Sequence, residues 1–208
     1  MSPRQYCAIC RYPQSVCLCH LVRQLDNQTR LIVLQHPSEI RVAKNTLRLL
    51  ALCLTRLDIV VGETPEDFMA VEHYCRQQPQ HVAVLYPNPE SAALEQSNSS
   101  RVLPKALILI DGTWRKAFRI WQLNTWLHGL RCYHLESPPA SRYKRKARAE
   151  HQLSTLEAAA HALTLLESLD CDPLYQLQDE RQRRLSARGN GLSGASSVLP
   201  KPRPQAGW

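Results

Sequence analysis

A chain of 208 residues, 44% hydrophobic and 21% charged, is long enough to bury a sizeable core as one domain with a small appendage, and its composition excludes a disordered or fibrous class. The formal net charge of +8 favours a polyanionic partner such as RNA, DNA or an acidic membrane face. No apolar run approaches the ~20 residues of a membrane helix, and Met1 to Tyr6 holds no apolar leader core, so a cytosolic protein without membrane segments is expected.

In a reducing compartment the eight cysteines read as metal ligands or reduced core residues rather than disulfides. Four of them fall within thirteen residues, as Cys7-Ala8-Ile9-Cys10 and Cys17-Leu18-Cys19. Two close thiolate pairs joined by a short loop can wrap one tetrahedral ion, and sulfur ligands select zinc or iron–sulfur. His20 could replace one thiolate; Cys7, Cys10, Cys17 and Cys19 are the preferred set. Such a site leaves no open coordination position, so its role is structural, or that of a small RNA-contacting knuckle beside Arg4 and Arg11. Residues 1–24 are read as this zinc knuckle and 25–185 as an α/β catalytic domain. Residues 186–208, basic and rich in Gly, Ser and Pro, read as a disordered tail.

Along the domain, 30–34 reads as a strand ending at Gln35-His36-Pro37-Ser38-Glu39. Helical spacing of Val42, Leu49, Leu50 and Cys53 predicts a helix from about 41 to 56. A second strand covers 57–61, and Pro65 sits early in a helix that runs to about 77. A third strand, 81–85, stops at Tyr86-Pro87-Asn88-Pro89; a short polar helix and the loop Ser97-Asn98-Ser99-Ser100 follow. A fourth strand, 106–110, and a fifth, 130–135, complete the set. Strands separated by helices argue for a mainly parallel sheet flanked by helices. No Gly-x-Gly-x-x-Gly and no Walker-type glycine loop is present, so dinucleotide and nucleoside-triphosphate readings lack their phosphate cradle.

The fourth strand carries the most informative junction: five apolar residues, Ala106 to Ile110, run into Asp111-Gly112-Thr113-Trp114. Trp114, Ala117, Phe118, Trp121 and Thr125 then share one helical face. In open α/β sheets ligands bind at such strand ends, because side chains and helix N-termini converge there. Gln35–Glu39, Tyr86–Pro89 and Glu136–Pro139 stand at the ends of other strands and mark the same cleft. Asp111 can equally cap the next helix or hold Thr113, and Trp114 reads as core or cleft wall. Five of the eight residues Ser141-Arg142-Tyr143-Lys144-Arg145-Lys146-Ala147-Arg148 are cationic; they can neutralise RNA phosphates, while Tyr143 can stack on a base or ribose. Ser154-Thr155-Leu156-Glu157 is a capping box opening a helix to about 169, which gives Glu157 a structural role beside any catalytic one.

In this combination the chain resembles the DTW-domain family, the tRNA-uridine aminocarboxypropyltransferases. The matching residues, in family order from about 5 to 170, are the four cysteines, His36-Pro37-Ser38-Glu39 with Asn45-Thr46, Tyr86-Pro87, Asp111-Gly112-Thr113-Trp114, Ser141-Arg142-Tyr143 and Ser154-Thr155-Leu156-Glu157-Ala158. Tyr12-Pro13 stands where an Arg-Pro pair is usual, and Lys44 where a threonine is common.

The resemblance implies a knotted fold related to the SPOUT RNA methyltransferases, with a zinc knuckle. It implies S-adenosylmethionine as donor and transfer of its 3-amino-3-carboxypropyl group to nitrogen 3 of a tRNA uridine, expected in the variable loop, with methylthioadenosine released. Arg142 offers bidentate geometry for the donor's carboxylate. Tyr86, Pro87 and Leu135 would bracket the adenosine, while Ile110, Gly112, Thr113, Trp114, Tyr143, Ser154 and Thr155 complete the donor pocket. The imide proton of uridine needs an acceptor: Asp111 is the first choice, with Glu39 and Glu157 behind it. The partners are then tRNA and the donor, with no membrane; the sequence leaves the oligomeric state open, a monomer included. A methyltransferase using the same donor, and a zinc-containing RNA-binding protein without activity, are the competing classes.

Overall fold

The computed structural model describes residues 5–42, 44–99, 103–143 and 153–189. Six strands form one sheet: β1 (Arg30–Gln35), β2 (Leu57–Val61), β3 (Val82–Leu85), β4 (Ala92–Ala93), β5 (Ala106–Asp111) and β6 (Arg131–His134). Their order is β2-β1-β5-β3-β6-β4, and every neighbouring pair is parallel. The helices are α1 (Leu47–Cys53), α2 (Met69–Gln77), α3 (Trp114–Leu123), α4 (Thr155–Glu167) and α5 (Asp172–Gly189).

The apolar runs of β1 and β5 are uninterrupted because both sheet faces are covered, as a parallel sheet requires. Leu31 and Val33 of β1, with Leu107 and Leu109 of β5, point into a core built with α1, α4 and α5. Ile32, Leu34 and Ile108 point to the other face, against α2 and α3. Each buried aliphatic contributes roughly 1.5–3 kcal/mol relative to exposure. This is the three-layer, mainly parallel α/β architecture that the strand–helix alternation predicts.

The N-terminal segment is sewn into the first of these cores. Cys10, Tyr12, Val16 and Leu18 are buried among residues of α1, α4 and α5. The Tyr12 ring lies between the guanidinium groups of Arg181, 4.0 Å from its centroid, and Arg48, 4.9 Å away. Arg184 of α5 donates to the Cys17 carbonyl at 2.5 Å.

Three expectations are corrected. Helix α1 is only seven residues long, not sixteen, because the Asn45 side chain accepts from the Leu47 N–H at 2.8 Å and starts the helix there; Val42, expected on its buried face, is exposed. The polar helix expected after Tyr86–Pro89 is the two-residue strand β4 followed by a 3₁₀ turn at Leu94–Ser99. The shared face expected of α3 is divided: Ala117 and Trp121 are buried with Ile120, whereas Trp114 and Phe118 are exposed. Residues 186–189 continue α5; the remainder of the tail, and Lys144 to Arg148, lie outside the described residues.

Candidate active site

Strand β5 ends in the centre of the sheet, in register with β1 so that Asp111 pairs with Gln35. Asp111 is only 5% exposed, and a carboxylate buried to that degree must be hydrogen-bonded. Gln35 Nε2 and Asn45 Nδ2 donate to its Oδ2 at 2.9 and 2.8 Å, and Thr155 Oγ1 donates to its Oδ1 at 2.5 Å. The His36 N–H donates to its carbonyl at 2.9 Å. One side chain therefore joins the ends of two strands, the loop before α1 and the first residue of α4.

Gly112 sits in the narrow gap beyond. A Cβ there would lie 3.1 Å from Lys116 Cβ and 3.6 Å from His36 Cβ, so the loop after β1 and the first turn of α3 close over a residue without a side chain. Across that gap Lys116 Nζ donates to Glu39 Oε1 at 2.9 Å. His36 is held by Glu63, 3.2 Å from its Nε2, and by Ser38.

Glu157 is a second hub. Its carboxylate, 2% exposed, accepts five hydrogen bonds. The Arg142 and Tyr143 N–H groups and Gln178 Nε2 donate to Oε1 at 2.7, 3.1 and 3.0 Å. The Ser141 hydroxyl and the Ser154 N–H donate to Oε2 at 2.9 and 2.8 Å. The capping box expected at Ser154 is complete: Ser154 Oγ accepts from the Glu157 N–H at 3.2 Å. The box thus also seats the Ser141–Tyr143 loop at the N-terminus of α4. Tyr143 is pinned further by its hydroxyl, which donates to the Lys44 carbonyl at 2.7 Å. The Arg142 guanidinium stays 55% exposed, 4.9 Å from the Tyr175 ring centroid and 3.9 Å from Asp179.

The structure thus brings together Glu39, Asp111, Gly112, Thr113 and Thr155, and ties Arg142, Tyr143, Ser154 and Glu157 to the same end of α4. Tyr86, Pro87 and Leu135 follow β3 and β6, and Ile110 lies at the end of β5. Those three strands are consecutive in the sheet, so these residues form one edge. The Tyr86 ring itself points into the helical layer, stacked on Trp121 at 4.7 Å, and offers the edge its backbone rather than its face. Trp114, expected as core or cleft wall, is 52% exposed. At the opposite, N-terminal end of the strands a polar groove of about 580 Å³ is lined by Arg30, Arg56, Asp58, Tyr74 and Lys105; there Arg30 Nε and Asp58 are 2.5 Å apart.

Sequence reasoning missed Gln35 and Asn45 as partners of Asp111, and Gln178 altogether. Gln35 and Asn45 stood inside clusters already singled out. Gln178 could have been found from the helical spacing of Leu174, Leu177 and Arg181, all buried in α5.

The sulfurs of Cys7, Cys10, Cys17 and Cys19 all lie within 4.8 Å of one another, with Cys7–Cys19 at 3.6 Å and Cys10–Cys17 at 3.7 Å. A tetrahedral ion with Zn–S bonds of 2.3 Å sets sulfurs about 3.8 Å apart, so the four cysteines fit zinc without His20, which faces Arg184 at 3.4 Å. Arg11 adopts a left-handed φ of 54° and its N–H donates to the Cys7 carbonyl at 2.9 Å; within this turn the backbone N–H groups of Cys10 and Ile9 donate to the Cys7 sulfur. Those hydrogen bonds bring the Cys7 thiol down to about 6.

The DTW domain family matches residues 4–187. The chain is 35% identical over 222 aligned positions to tRNA-uridine aminocarboxypropyltransferase 2 of Mus musculus, covering 97% of this chain and 72% of that protein. It is 34% identical to the protein of the same name from Macaca fascicularis, at 97% and 72% coverage. The Drosophila melanogaster protein of that name is 35% identical over 174 positions, covering 79% of this chain and 68% of that one. No solved structure matches. Family match and relatives agree, and the family match runs through the knuckle and the Asp111 and Glu157 hubs: the chain belongs to the DTW-domain family.

Proposed function

We propose that this protein is a tRNA-uridine aminocarboxypropyltransferase that moves the 3-amino-3-carboxypropyl group of S-adenosylmethionine to nitrogen 3 of a tRNA uridine, in the variable loop, and releases methylthioadenosine. The observation that carries this reading is the convergence of the family's separated motifs on one edge of the sheet. Asp111 is bonded to Thr155 at the start of α4, where Glu157 also holds the Ser141–Tyr143 loop, while Glu39 reaches the same edge through Lys116 of α3, in a chain 35% identical to a relative so named.

In the proposed step the sulfonium–Cγ bond breaks, its electron pair stays on sulfur, and nitrogen 3 forms the new bond while its proton passes to an acceptor. Both donor and base must be fixed in line for the γ-carbon, rather than the methyl, to be attacked. The half-exposed guanidinium of Arg142 is assigned to the donor's carboxylate, for which its bidentate geometry suits it; the strand ends at Ile110, Pro87 and Leu135 and the Gly112–Thr113 turn are assigned to the rest of it. Of the three carboxylates, Asp111 is engaged on both oxygens and Glu157 accepts five hydrogen bonds, which suits them to positioning. Glu39, with one oxygen on Lys116, retains an oxygen for a proton. Asp111, with three hydrogen bonds accepted, keeps one lone pair on Oδ1 beside Thr155.

A structural zinc in the knuckle belongs to the same reading, as does kinship with the knotted SPOUT class. The latter is supported by β6 lying between β3 and β4, two strands joined earlier in the chain. Among the described residues no helix is long and apolar enough to cross a membrane.

The test is incubation of purified protein with donor and total tRNA, followed by mass analysis of nucleosides and by-products. An aminocarboxypropylated uridine with methylthioadenosine is expected. S-adenosylhomocysteine and a methylated nucleoside would replace the reading with a methyltransferase, and absence of any product with tRNA still bound would make the protein a binding module. Replacing Glu39 by Gln should nearly abolish single-turnover transfer, whereas Asp111→Asn should lower its rate only in part.

A further inference from the structure

Helix α3 leaves the sheet edge two residues after Gly112 and carries, on its outer side, two aromatic rings that the described residues leave half-exposed. Trp114 is 52% and Phe118 54% exposed. They are four residues apart on a helix, hence neighbours on one face, about one turn or 5.4 Å along its axis. The same helix buries Trp121 against Tyr86, so its aromatic content is divided between a packing side and an open side. Open aromatic surface of this kind marks an interaction site.

The charge around the rings selects the partner. The ten residues of α3 include Arg115, Lys116 and Arg119 and no acid. Lys116 is taken by Glu39 and Arg119 contacts Glu63 at 3.0 Å, while Arg115 is exposed beside Trp114. The charge this leaves on the face is that of Arg115, which a phosphate backbone complements and a second copy of the chain would only repeat. Aromatic rings interleaved with cations are how single-stranded nucleic acid is held, the bases stacking while the cations follow the phosphates.

We propose that the exposed face of α3, through Trp114 and Phe118, is a stacking platform for unpaired bases of the RNA substrate beside the Asp111 turn. The proposal rests on the reading that nitrogen 3 of a uridine is the acceptor. That atom lies in the middle of the Watson–Crick edge, so the base must leave its pair and its stack before it can react. A protein ring at the mouth of the cleft replaces the stacking the nucleotide, or the neighbour it leaves behind, has lost. Trp114, the last residue of the motif after Asp111, is at the right end of the helix for the target base, and Phe118 for the adjacent one.

The experiment measures tRNA affinity by fluorescence anisotropy on the full chain, for wild type, Trp114→Leu, Phe118→Leu and the aromatic replacements Trp114→Phe and Phe118→Trp. Both rings are exposed, so unchanged thermal midpoints are expected of all variants. Each leucine variant should bind tRNA about tenfold more weakly, and the aromatic replacements should restore binding, which a merely apolar contact would not require. Wild-type affinity in the leucine variants, with wild-type protein still modifying tRNA, would overturn the platform and leave the activity standing. A wild-type dimer that Phe118→Leu dissociates without changing tRNA affinity would assign the face to a second copy and overturn it as well. Wild-type protein that neither binds nor modifies tRNA would remove the functional reading itself, and the platform with it.

Discussion

The Thr155 hydroxyl donates to Asp111 Oδ1 at 2.5 Å, so the end of the central strand and the first residue of α4 are one mechanical unit although 44 residues separate them in sequence. A charged acceptor makes this bond stronger than a neutral one. Replacing Thr155 by Val keeps the shape and removes the donor; about 1.5–3 kcal/mol of stability should be lost. Thr155→Ser should recover most of it. Chemical denaturation measures the stability, and single-turnover kinetics should show the rate falling in the same order.

Glu157 presents the harsher case. Exchange for Gln replaces an acceptor oxygen by an NH₂ group that must face an N–H or O–H donor. At least one of its five partners is then left without an acceptor in a buried site, costing about 1–3 kcal/mol. The loop should loosen before the fold does. Hydrogen exchange at the Arg142 and Tyr143 amides, both bonded to Glu157, should accelerate sharply in Glu157→Gln while amides of β1 and β5 stay protected.

Zinc removal should be felt well beyond the knuckle, because Cys10, Val16 and Leu18 belong to the same core as α4 and α5. Metal analysis should find one zinc per chain. Chelation, or Cys10→Ser, should lower the thermal midpoint of the whole protein in a single transition rather than releasing a separate small one. Two separated transitions would show that the knuckle melts by itself.

Acid should attack the same junction from the α5 side. Hydrogen bonds from Arg183 and Arg184 bring the Glu180 carboxyl down to about 2 from its ordinary 4.5. A folded-state value below the unfolded one means its stabilising contribution is complete above about 4.5 and disappears as pH falls toward about 2. Glu180→Gln should therefore flatten the fall of the thermal midpoint across that window, and leave the midpoint's slope above pH 5 unchanged.

What could be read from the chain depended on whether the determinant was local. The run from Ala106 to Asp111 is legible because a strand covered on both faces has no polar residue until it ends, and the Ser154–Glu157 box because its two reciprocal bonds are three residues apart. The cysteine cluster is legible for the same reason. Asp111's partners are not local: Gln35 lies 76 residues away and Asn45 66, and no periodicity encodes a meeting across that distance. The helix starting at Leu47 was over-extended because the Asn45 side chain, bonded both to the helix start and to Asp111, ends a pattern that hydrophobic spacing alone would continue. Trp114 and Phe118 have the spacing of core residues; only the packed structure shows that α3 buries the arc through Ala117, Ile120 and Trp121 instead.

The contact between Arg184 and the Cys17 carbonyl spans 167 residues, and this has a consequence for how the protein is made. Helix α5 is synthesised long after the knuckle, so the cysteine segment leaves the ribosome well before this part of its seat exists. Closing so long a loop is entropically slow, and until it closes a metal ion held by the four cysteines would order the segment from Cys7 to Cys19. A protein stopped before α5 would lose the Arg184 bond to the Cys17 carbonyl and the Arg181 guanidinium on the Tyr12 ring, leaving the cysteines less protected from oxidation.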